Sequence, residues 1–124
     1  QMPMTQVETR PGRSTVTRDV STGRVEVLSD RGGGLYLIEE HGLSFARDTI
    51  EKMAIVEGDP LSAETEMTVT SRMERDDWSV QVKARTRLSA DADNFHLEAD
   101  LDVYENNARV LARSWSVAIA RDCV

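Results

Sequence analysis

The sequence predicts an all-β protein, an antiparallel β-sandwich of jelly-roll type with about seven to eight strands. Three observations carry that expectation. Residues 78–89 and 95–103 alternate strictly between apolar and polar side chains, the period of a strand with one dry and one wet face. Clusters of Gly, Asp, Asn and Ser recur between such runs as turn signals. No segment sustains the 3.6-residue apolar period of a long helix.

Taken in order, residues 1–13 read as a flexible N-terminal segment ahead of one β-sandwich domain over 14–124. Residues 15–19 and 24–29 flank Val20-Ser21-Thr22-Gly23, a hairpin pattern. Arg31-Gly32-Gly33-Gly34 reads as a flexible turn before a strand at 35–39, and Glu40-His41-Gly42 as another turn. Residues 43–57 fit a long strand or a short helix, and periodicity leaves both open. Glu57-Gly58-Asp59-Pro60 then breaks the chain.

The second half is more regular. Thr65, Met67, Val69, Ser71 and Met73 share one strand face, and Glu74-Arg75-Asp76-Asp77 turns the chain. Trp78, Val80, Val82, Ala84, Thr86 and Leu88 then point inward, as do Phe95, Leu97, Ala99, Leu101 and Val103. The loop 90–94 joins these two runs as a hairpin. Antiparallel pairing sets Lys83, Arg85 and Arg87 opposite Asp102, Asp100 and Glu98, a ladder of opposite charge on the wet face. A one-residue slip would bury the whole charged set, so the ladder fixes register. Glu105-Asn106-Asn107-Ala108 turns into a last strand over 109–120. Its phase shifts at Val110-Leu111-Ala112, the signature of a bulge or of a strand covered on both sides.

With 124 residues the chain is one domain in size, and no apolar run approaches the ~20 residues of a membrane helix. A net charge of -7 is the wrong sign for a phosphate-backbone binder, so neither nucleic acid nor membrane is an expected partner. Cys123 is the only cysteine, which excludes an internal disulfide and a Cys-based zinc site. The chain needs no oxidising compartment, and the cytoplasm is the default.

Chemistry is sparse. Gly42-Leu43-Ser44-Phe45-Ala46 has the first Gly and the Ser of a nucleophile elbow but lacks the closing Gly and the strand-turn-helix context. The three glycines at 32–34 are followed by Leu35-Tyr36-Leu37-Ile38 and not by the Lys and Ser/Thr of a phosphate loop. His41 and His96 have no second His at ligand spacing. Asp91-Ala92-Asp93-Asn94 lacks the Gly and distal Glu of a calcium loop, so its aspartates read as turn caps. Asp76/Asp77 and Asp100/Asp102 are ordinary in so acidic a chain. No catalytic residue, cofactor or metal site is expected. Trp115 shares a strand face with Arg113, and the two read as core, as an interface anchor or as a ligand-stacking platform.

A resemblance adds to this reading. Asp59-Pro60-Leu61-Ser62-Ala63, Asp77-Trp78-Ser79-Val80, Lys83-Ala84-Arg85-Thr86-Arg87-Leu88, Phe95-His96-Leu97-Glu98-Ala99, Tyr104-Glu105, Arg113-Ser114-Trp115 and Arg121-Asp122-Cys123-Val124 occur in that order. Together they resemble the C-terminal end of CocE/NonD-family serine hydrolases, the relatives of cocaine esterase and X-Pro dipeptidyl-peptidase in peptidase family S15. The resemblance covers about residues 57–124, with a looser match upstream at Thr17-Arg18-Asp19, Gly23-Arg24-Val25 and Ile38-Glu39-Glu40-His41-Gly42. In that family an α/β-hydrolase domain carries the Ser-Asp-His triad, and a C-terminal jelly-roll sandwich packs on it. The resemblance thus implies a catalytically silent piece of that sandwich, with the α/β-hydrolase domain of a parent chain as partner and no triad residue in this sequence. Homodimerisation through an edge strand or apolar patch is also expected. The rival expectation is a free-standing β-sandwich module that binds a carbohydrate or other small ligand.

Overall fold

The structure, a computed structural model, describes residues 4–39 and 42–122, with side chains from residue 9 onward. Eight strands follow one another: β1 (Met4–Arg10), β2 (Arg13–Asp19), β3 (Arg24–Ile38), β4 (Leu43–Val56), β5 (Asp59–Arg75), β6 (Trp78–Ala90), β7 (Asn94–Glu105) and β8 (Ala108–Ala120). All pair antiparallel into one sheet of order β1-β3-β4-β5-β6-β7-β8, and β2 also pairs with β3. The all-β antiparallel class and its strand number are as the alternation predicts. The sheet is a meander not closed into a barrel, and among the described residues each strand touches only its sheet neighbours. It has the form of one layer of a sandwich.

Tight turns set each register. Asn106 and Asn107 adopt φ of 48° and 69°, the left-handed pair of a two-residue hairpin turn whose twist matches the flanking strands. In the β6–β7 loop Asp91 Oδ1 accepts the backbone N–H of Asp93 at 2.8 Å and of Asn94 at 2.7 Å, the turn-cap role read from the sequence. In the β2–β3 turn Asp19 accepts from Ser21, which holds its carboxyl below the ordinary value.

Two segments differ from expectation, and a third resolves to one of its two alternatives. Residues 4–10, expected within a flexible 1–13 segment, form β1 and pair with the C-terminal half of β3. The triglycine is not a turn. It lies inside the 15-residue β3, where the register with β4 shifts between Asp30 and Gly33. Gly32 takes φ +77° there, and the extra residues are absorbed as a bulge without ending the strand. The bulge depends on β1 and β4 flanking it, whereas the glycines alone carry the local signal of a break. The ambiguous segment 43–57 is strand β4 up to Val56, fixed by ladders on both sides.

Burial is slight. Of the described hydrophobic side chains only Ala54 is buried, at 5% exposure. The accessible surface is 8812 Å², roughly a third above the ~6,700 Å² of a compact chain of this mass. A single sheet has no second layer against which to close.

Candidate functional site

Residues directly paired across an antiparallel ladder project from the same face, so the register assigns every side chain to a side. One row runs Val16, Val27, Met53, Thr65, Leu88, Leu97 and Val117 across seven strands. The row beside it runs Ser14, Ser29, Glu51, Met67, Thr86, Ala99 and Trp115. Val69, Ala84 and Leu101 continue the same side, as do Tyr36, Phe45, Met73 and Val80. The alternating apolar sets of the sequence therefore converge on one continuous face.

That face is open. Met53 is 45% exposed and Leu88 44%, although both sit in interior strands with a neighbour on each side. Full burial of such a side chain stabilises by about 1.5–3 kcal/mol relative to exposure, so each half-exposed position leaves part of that unrealised. A concavity of about 540 Å³ lies at one end of the sheet, lined by Leu43, Met73, Arg75, Asp76, Asp77 and Trp78. Glu51 is the one carboxylate in the middle rows, and Arg31 from the β3 bulge meets it at 2.5 Å.

The opposite face is charged. Lys83, Arg85 and Arg87 pair with Asp102, Asp100 and Glu98 in the expected register. The ion contacts are partly redistributed. Arg85 meets Asp100 at 3.4 Å, but Arg87 lies nearer Glu64 on β5, at 2.9 Å, than Glu98 at 3.9 Å. Asp102 takes Arg109 of β8 at 3.2 Å. The hydrogen bond from Arg87 holds the Glu64 carboxyl below its ordinary value.

Two clusters were invisible to sequence reading. At the β3 bulge Arg10 donates to Asp30 at 2.5 Å and to Asp48 at 2.7 Å, joining β1, β3 and β4. These bonds raise the Arg10 pKa, and the bond from Arg10 lowers that of Asp30. The partners lie 20 and 38 residues away, too distant for any local motif to signal. At the other end Arg121 donates to the Asp91 carbonyl at 2.8 Å and stands 5.1 Å from the Phe95 ring centroid, pinning the end of β8 to the β6–β7 loop.

The residues singled out from the sequence are scattered. Trp115 and Arg113 project from the apolar face of β8, opposite Ala99 and Leu101, with Trp115 49% exposed. His96 Nε2 lies 2.7 Å from Asp91 Oδ2, and this contact leads the causes that bring the Asp91 carboxyl down to about 2. Ser44 sits mid-ladder opposite Leu37 and Glu74, Asp76 and Asp77 form the β5–β6 turn, and Asp100 and Asp102 belong to the ladder. His41 and Cys123 lie outside the described residues. No group of three metal-ligating side chains occurs among the described residues. What the arrangement offers chemically is surface: one apolar face, one charged face, and the β8 edge. Comparison with protein-family models, with curated proteins and with solved structures finds no match.

Proposed function

We propose that this chain is a non-catalytic β-sheet layer of the C-terminal sandwich of a CocE/NonD-type serine hydrolase, with scaffold and interface roles. The observation that carries this reading is the open apolar face, built by every strand from β2 to β8 and covered by nothing in the described chain. Such a face leaves much of its burial energy unrealised in water, and a second layer recovers it by removing the face from solvent, as the two sheets of a sandwich do for each other. The ordered strings over residues 57–124 indicate which sandwich, and the region they match lies outside the domain that bears the family's triad.

The test is direct. The purified chain, given p-nitrophenyl esters and an X-Pro anilide, is expected to show no turnover above buffer. Turnover abolished by a serine-directed inhibitor would overturn the proposal. Sequencing the coding DNA upstream is expected to reveal an in-frame G-x-S-x-G motif within a hydrolase domain, and an immediately preceding stop codon would equally count against it.

A further inference from the structure

We propose that the outer edge of β8 is a self-pairing surface, at which two copies of this chain join antiparallel about a two-fold axis through Ser114. β8 closes one end of the sheet, all 13 of its residues are exposed, and among the described residues no strand pairs with its outer side. An edge of that kind presents a row of unpaired N–H and C=O groups that templates another strand. The opposite edge of the sheet is blunted. It is divided between β1 and β2 at Pro11-Gly12, and β2 opens with Arg13 and closes with Arg18-Asp19. β8 carries one such device, the irregularity near Val110. Residues 111–120 hold no proline and a single charge, Arg113.

The occupant follows from the strand's own order. With Ser114 on the axis, Leu111 faces Val117 of the second copy, Ala112 faces Ser116, and Arg113 faces Trp115 twice over. No like charges oppose each other, and the apolar face continues unbroken from one copy to the next. Arg113 has no carboxylate partner among the described residues, although it projects from the apolar face beside half-exposed Trp115. A guanidinium over an indole is the best of the cation–π pairings, and the symmetric register supplies it to both arginines. Pairing needs only the β8 edge, so it stands independently of the hydrolase reading and of whatever covers the apolar face.

The experiment uses the full chain with Cys123→Ser, so that introduced thiols are the only ones. Sedimentation velocity over a concentration series is expected to show a reversible monomer–dimer equilibrium. Adding Ser114→Cys is expected to give a disulfide-linked dimer on mild oxidation, because facing Cα atoms of an antiparallel pair lie about 4.5–5.5 Å apart. Ser116→Cys faces Ala112 and is expected to cross-link at least tenfold less. Ser114→Lys brings two ammonium groups together on the axis while keeping Asp100, the present partner of Ser114 at 2.7 Å, as a counter-charge. It is expected to weaken dimerisation at least tenfold with an unchanged β circular-dichroism spectrum. A monomer at every concentration, equal cross-linking at 114 and 116, or a dimer that survives Ser114→Lys would each overturn the proposal. The cysteine pair decides the matter even where the lysine variant misfolds.

Discussion

Gly32 shows how a single residue determines whether β3 can remain one strand. Its φ of +77° suits glycine, and a Cβ there would stand 2.8 Å from the Gly12 nitrogen. At Gly33 a Cβ would stand 2.8 Å from the Arg47 carbonyl and on top of the Asp48 carboxylate. Gly32→Ala is therefore expected to lower stability by about 1–3 kcal/mol, read as a fall in urea midpoint at unchanged slope. Asp91 supplies a pH signature at the same scale. Its carboxyl titrates near 2 in the folded chain against 3.8 unperturbed, chiefly through the bond with His96. The contribution is fully present above the unperturbed value and is lost as pH falls through about 2. Asp91→Asn keeps an oxygen for the turn but loses the charge. The stability gap between the two proteins is thus expected to be level around pH 5 and to close between pH 4 and 2 in urea titrations.

Among the elements, the β6–β7 hairpin is the most tightly specified by its own side chains. Arg85→Glu would set a carboxylate opposite Asp100, and a loss of about 0.2–1 kcal/mol is expected, shrinking as salt is raised. The register of this hairpin was legible in the sequence to the residue, because alternation, turn chemistry and charge pairing agree there. Its strands extend one or two residues beyond the alternating runs, to Ala90 and over Asn94–Glu105. The shifted phase at Val110 was equally legible, and the register does break there, between Val103 and Tyr104 of the partner strand. β3 was not legible. Its glycines carry the local signal of a turn, and the forces that keep it extended come from β1, β2 and β4. The continuous apolar face was legible as a set of inward positions, whereas its lack of a cover was not. Alternation reports which side of a strand is dry and never what dries it.

The whole molecule exposes about a third more surface than a closed domain of its mass, many large apolar side chains among it, with measurable consequences. The native chain is expected to enhance the fluorescence of an apolar dye such as ANS in buffer, without loss of β circular dichroism. Its urea slope is expected to fall below that of a compact domain of 124 residues, because less new surface appears on unfolding. Val117→Thr, at a position already 49% exposed, is expected to change stability by no more than about 0.5 kcal/mol in the isolated chain. The meander connectivity has a further consequence, for the order in which the sheet comes apart. Among the described residues every strand is held by its sheet neighbours alone, so opening proceeds like a zipper from the two ends and needs no global transition. At concentrations where the chain is monomeric, amide hydrogen exchange should therefore slow steadily from β2 and β8 toward β5, with protection set by the number of strands still outboard of each bond.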